Sequence, residues 1–102
     1  MRVSLRPAAH RDLLQQVDYL LEEFAYRAAE RFPDAMEEAL SFVSAHPDAG
    51  SPVLELRSWP VPGFPRIRVY YLMVSPTELH VVRILHDARD VGTILGDEEV
   101  SG

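Results

Sequence analysis

Apolar positions recur at helical spacing in the first half of the chain and alternate in the second. Leu13, Val17, Leu20, Leu21 and Phe24 fall at i, i+4, i+7, i+8 and i+11, with Arg11, Asp12, Gln15, Asp18, Glu22 and Glu23 on the opposite face. That spacing predicts a surface amphipathic helix over roughly residues 7–24. Ahead of it, Val3 to Arg6 is short, alternating and ended by Pro7, the pattern of a brief strand followed by a helix with proline in its first turn. A second helical stripe, Ala28, Ala29, Phe32, Met36, Ala39, Leu40 and Val43, runs into the breaker-rich segment from His46 to Pro52. Pro33 lies inside this stripe and predicts either a kink or a restart at Asp34, because proline in a helix interior costs ~3 kcal/mol.

Beyond residue 50 the period shortens to two. Val53 to Trp59 alternates over a short stretch and gives way to the turn-rich run from Pro60 to Pro65. Arg66 to Val74 and Glu78 to His86 then read as an antiparallel hairpin around Ser75, Pro76 and Thr77. Leu85 to Gly96 closes the domain with a turn at His86 to Asp90 and a helical turn at Val91 to Leu95. Each helix carries one apolar stripe and needs a shared surface to cover it. The expected class is therefore α+β in the order β-α-α-β-β-β, with an N-terminal helical hairpin packed on one face of a small antiparallel sheet. The 102 residues suit a single domain, with residues 97–102 expected to form a disordered acidic tail.

Composition narrows the function classes. The net charge of -6 is uneven: residues 1–50 hold nine acids and five arginines, residues 51–96 four acids and five arginines, and Asp97, Glu98 and Glu99 follow. An acidic chain repels a polyanion at long range, which disfavours direct nucleic-acid binding. Cysteine is absent, so neither disulfides nor thiolate metal sites are available. The N-terminus lacks the apolar core of a signal peptide, and no stretch approaches the ~18 apolar residues that would span a bilayer. A cytoplasmic protein without membrane contact is expected. A chain this short buries only roughly 60 to 70% of its unfolded surface and would gain from a partner.

No phosphate loop, zinc spacing, activated serine or nucleotide fingerprint is present, and His10, His46, His80 and His86 include no i, i+4 pair. No metal and no cofactor are expected. Alternation puts Arg66, Arg68, Tyr70, Leu72 and Val74 on one face of their strand and Ile67, Val69, Tyr71 and Met73 on the other. If Val74 pairs with Leu79, Tyr70 faces Arg83 and Arg68 faces Leu85. Arg66, Arg68, Tyr70 and Arg83 are then a candidate binding surface, since tyrosine and arginine dominate binding hot spots. The plainer reading, arginines that lie over apolar neighbours and solubilise the sheet, stands beside it. Arg89 and Asp90 suit a salt bridge or a cap, His46 a helix C-terminal residue, and Trp59 a core or loop-packing aromatic.

Three segments resemble the ParE branch of the ParE/RelE toxins. Arg6 to Leu13 is similar to that family's proline-alanine-aspartate-leucine opening of the first helix. Ala28 to Phe32, with Ala39, Leu40, Pro47 and Gly50, resembles its second helix and exit. Arg66 to Tyr71 followed by Val82 to Asp90 resembles its tyrosine-bearing strand and closing arginine, histidine and arginine-aspartate signature. The resemblance spans about residues 2–95. It implies a toxin neutralised in a hetero-oligomer by a ParD-like antitoxin, with DNA gyrase as target. RelE relatives instead cut messenger RNA, using basic residues and in many members a late tyrosine. Here lysine is absent and no tyrosine follows Arg83, which weakens the nuclease alternative; Arg83, His86 and Arg89 are the residues that would carry it. An inactive relative that only binds antitoxin is the third reading.

Overall fold

A computed structural model describes residues 1–86 and 92–95. Strand β1 (Arg2–Leu5) leads into helix α1 (Pro7–Glu22) and helix α2 (Tyr26–Ala45), followed by strands β2 (Ser51–Val53), β3 (Leu56–Val61), β4 (Phe64–Ser75) and β5 (Glu78–His86). The sheet order is β1-β5-β4-β3-β2. The α+β class and the helical hairpin on a small sheet agree with the sequence pattern, and two details differ. The segment expected as one strand over residues 53–59 is a tight hairpin, β2 against β3, that turns at Leu54 and Glu55 with Val53 opposite Leu56. The sheet is also mixed, because β1 pairs parallel with β5. The reason is burial: Val3 and Leu5 lie beside Leu79 and Val81 and pack on the same core.

Both helices cover one face of the sheet. Ala9, Phe32, Met36, Ala39 and Val43 meet Val69, Tyr71, Leu79 and Val81 in a core whose members are almost fully enclosed. Burying each large side chain stabilises the fold by about 1.5 to 3 kcal/mol. Helix α2 runs unbroken through Pro33, so no restart at Asp34 divides it. Proline has no N–H to donate to the carbonyl of Ala29, but the flanking Phe32 and Met36 are buried and hold the helix across the gap. The expected stripe of α1 is shared unequally: Leu13, Val17 and Leu20 pack on the core, whereas Leu21 and Phe24 are exposed.

The alternation expected along β4 is present, with Ile67, Val69, Tyr71 and Met73 facing the helices. Pairing with β5 slips by one residue between Met73 and Ser75 and slips back between Tyr70 and Tyr71. Val74 therefore does not oppose Leu79, yet Tyr70 opposes Arg83 and Arg68 opposes Leu85, because the two irregularities cancel. The second one also turns Leu85 to the far face, where it joins Val82, Leu56, Tyr70 and Leu95 in a separate small core. Leu95 lies in a single helical turn at residues 92–95. The expected turn at His86 to Asp90, apart from His86, and the acidic tail at residues 97–102 lie outside the described residues.

The exit of α2 is latched by Tyr71. Its hydroxyl donates to the carbonyl of Pro47 at 2.9 Å and accepts the N–H of Gly50 at 3.1 Å, while Arg57 Nη1 donates to the Gly50 carbonyl at 2.8 Å. A Cβ on Gly50 would stand 2.4 Å from that hydroxyl, so only glycine permits the approach. Burial raises the Tyr71 pKa above 10.0, against the opposing pull of the Gly50 hydrogen bond and the Arg57 charge; Asp48 raises it further. A raised pKa means that folding favours the neutral phenol. Its contribution is complete below pH 10 and lost as pH climbs through the folded-state value. Urea unfolding at pH 8 and pH 11 should show a loss of stability at the higher pH that is smaller in Tyr71→Phe. At pH 8 that variant should itself be about 1 to 2 kcal/mol less stable than the parent.

Candidate functional site

Strand β1 ends before β5 does. The last parallel pair is Leu5 with Val81, the N–H of Arg6 donates to the Val81 carbonyl at 2.9 Å, and Pro7 then turns the chain into α1. Past Val81 that edge of β5 has no strand beside it, and a buried N–H there needs another acceptor. Asp12 supplies it. Its Oδ2 accepts the N–H of Ile84 at 2.9 Å and Nε of Arg83 at 2.7 Å, and its Oδ1 accepts Nη2 of Arg83 at 2.9 Å. Asp12 is only 5% exposed. Its expected place on the solvated face of α1 is therefore corrected: helical spacing put it among charged neighbours, but the unpaired sheet edge draws it inward. The signal available in the sequence was an aspartate one turn after Pro7 and a distant arginine, with nothing to pair them.

This contact decides where Arg83 points. Arg83 opposes Tyr70 in register, but its guanidinium is gripped in a two-pronged pair with α1. Tyr70 is 6% exposed and sits in the small core on the far face, where burial raises its pKa and the Arg68 charge partly opposes the rise. Arg68 lies next to it and donates from Nε to Ser58 Oγ at 3.1 Å and from Nη2 to the Ser58 carbonyl at 3.4 Å. Arg66 is exposed at the start of β4. It lines a pocket of about 240 Å³ with Tyr19, Phe64 and His86. The structure thus brings Arg68 and Tyr70 together, sends Arg83 towards the helices and leaves Arg66 near His86. The His86 ring stands 5.6 Å from that of Tyr19; Arg89 and Asp90 lie outside the described residues.

His46, Trp59 and His80 make their contacts within the fold. His46 caps α2, its N–H donating to the Phe42 carbonyl at 2.8 Å. Trp59 stacks on Phe42 with ring centroids 4.4 Å apart. His80 bridges β5 to the start of α1, its Nε2 lying 2.8 Å from Glu78 Oε2 and its Nδ1 accepting from Arg6 Nε at 3.3 Å. Among the described residues no group of three or more His, Cys, Asp or Glu side chains is placed to hold a metal, and no helix is long and apolar enough to cross a membrane.

A surface that the sequence reading did not find is a groove of about 610 Å³ between β1 and the two helices, floored by Val3, Leu5, Val17, Met36 and Leu40. Leu14, 54% exposed, stands on its rim. The signal was there in Leu14 itself, an apolar residue outside the stripe of α1.

Breaking the Asp12 pair should be costly, since it leaves the Ile84 N–H without an acceptor and removes the two-pronged contact to the Arg83 guanidinium. Asp12→Ala should lose about 3 kcal/mol in urea unfolding and speed amide exchange at Ile84.

The sequence pattern of the family described as ParE toxin of type II toxin-antitoxin system, parDE, matches residues 3–91. Among curated protein sequences nothing matches. Of the solved structures, one described as a chromosomal ParDE TA system from P. aeruginosa is similar with a TM-score of 0.68 and 19% identity, covering 84% of this chain and 95% of that one. At that identity it speaks for the fold, which is the one built above from β1, the hairpin of α1 and α2, and the four strands after it. With 89 consecutive residues inside the family pattern, the chain belongs to the ParE toxin family of type II toxin–antitoxin systems.

Proposed function

We propose that this toxin is held inactive in a hetero-oligomer by a ParD-like antitoxin seated in the groove between β1, α1 and α2, and that when free it inhibits DNA gyrase. The observation that carries the antitoxin part is the groove itself. A domain of 102 residues leaves a mostly apolar groove of about 610 Å³ open along its helical face, where an apolar segment of a second chain would bury the area that this one cannot. A partner that binds the folded form alone also raises its stability by mass action. Within the set Arg66, Arg68, Tyr70 and Arg83, we assign partner contact to the guanidinium groups of Arg66 and Arg68, while Tyr70 packs in the far-face core and Arg83 is engaged with Asp12 of α1.

Membership of the ParE family supports gyrase as the target, and the grip of Asp12 on Arg83 argues against the nuclease alternative. A guanidinium committed to a buried carboxylate is poorly placed to stabilise charge developing on a phosphate. Induction in a bacterial host should arrest growth with altered DNA supercoiling and intact transcripts; cleaved transcripts would overturn the assignment.

The groove is tested by calorimetric titration of the toxin with the antitoxin encoded beside it. Leu14→Asp should weaken binding at least tenfold while leaving unfolding stability within about 0.5 kcal/mol of the parent, as expected for an exposed position. Unchanged affinity would place the antitoxin elsewhere.

A further inference from the structure

The connection between α1 and α2 breaks two local rules at one point. Helix α1 ends in a Schellman motif: the N–H of Phe24 donates to the Leu21 carbonyl at 3.1 Å and that of Ala25 to the Leu20 carbonyl at 2.9 Å. The residue after the cap in this motif takes a left-handed backbone, and glycine is the usual choice because it has no Cβ to clash. Here it is Phe24, with φ of 56°. The apolar contact that accompanies the motif joins the positions held by Leu20 and Ala25, so the motif does not need the ring of Phe24. That ring is 78% exposed. Among the described residues its one ring contact is the edge of Tyr26, itself 55% exposed, at 6.0 Å and 83°.

A phenylalanine in a backbone conformation that disfavours it, with its side chain in water, adds little to the stability of the fold. Such departures from local preference gather at functional positions. Two exposed aromatic rings set edge to face at the tip of a helical hairpin are the kind of feature that anchors a protein–protein contact. Glu22 and Glu23 precede the first ring and Arg27 follows the second, all three exposed, and no basic residue lies in the last turn of α1. The tip is therefore aromatic, with two acids against one base.

We propose that Phe24 and Tyr26 form an aromatic prong by which the toxin grips its cellular protein target, in an apolar pocket of that target edged by basic side chains. The proposal rests on the reading of the chain as a toxin, but not on which protein it poisons. The antitoxin groove lies along the earlier part of α1, at Leu13, Leu14 and Val17, so the two surfaces are separable by substitution.

The test compares Phe24→Gly, Tyr26→Ser and Phe24→Tyr with the parent, reading growth arrest on induction, Tm of the purified chain and antitoxin affinity. Phe24→Gly and Tyr26→Ser should each raise survival at least tenfold, and Phe24→Tyr should retain arrest. The Tm of Phe24→Gly should equal that of the parent or exceed it by roughly 4 °C, because the left-handed backbone is relieved. Antitoxin affinity should stay within about twofold, well under the tenfold that 1.4 kcal/mol represents. Arrest by Phe24→Gly equal to the parent's, a fall in its Tm, or a parallel loss of antitoxin affinity would each overturn the prong. If the parent arrests growth but leaves purified gyrase active, the gyrase assignment fails while the prong is judged on survival alone. A parent chain that arrests no growth overturns both.

Discussion

A strand that outruns its neighbour leaves backbone donors facing nothing, and in this protein one carboxylate resolves the problem. Strand β5 continues five residues past the point where Leu5 ends its pairing with β1. Asp12 takes the Ile84 N–H in place of a strand and holds the Arg83 guanidinium at the same time. The contact joins positions 72 residues apart, so it fixes the angle at which α1 leaves β1 and lies against the sheet. The floor of the groove, which needs β1 and both helices in register, depends on that angle. Because the pair is buried, its worth lies in its completeness: charge, Nε, Nη2 and the backbone donor are satisfied together.

The sheet serves two cores with one set of strands. Strict alternation along β4 supplies Val69 and Tyr71 to the helical side and Tyr70 and Leu72 to the other. Strand β5 could not serve both with the same alternation, and its irregularity at Val82 reassigns the residues that follow. At the opposite end of the helical layer, Tyr71 reaches from β4 to the loop after α2 and ties it down through Pro47 and Gly50. Helix α2 is thus fixed at its exit by a phenol and α1 near its start by a carboxylate. At their shared tip, the far end of both helices, the described residues show the Schellman hydrogen bonds and the pair of exposed rings. A tip on a hairpin anchored at its other end presents side chains to a partner at little cost in disorder.

Local patterning by itself determined the α+β class, the two helices, the β4–β5 hairpin and the facing of β4, because helical and extended backbones repeat every 3.6 and 2.0 residues and the core selects the apolar face. It also carried the family resemblance, through Pro7, Asp12, Tyr70, Tyr71 and Arg83, and it even reached the pairing of Tyr70 with Arg83, although by a register whose two slips cancel. What it could not supply were relations between distant residues. That β1 joins β5 in parallel, that Asp12 leaves the solvated face for Arg83, that Tyr71 fits against Gly50, and that Leu14 borders an open groove are decided by which elements end beside one another. A buried donor without a strand, or a glycine without room for a Cβ, exists only once the chain has closed on itself; no window of sequence contains both partners. The tip lies between the two cases: the sequence shows a phenylalanine ending a helix, but only the folded backbone shows that it occupies the place of a glycine.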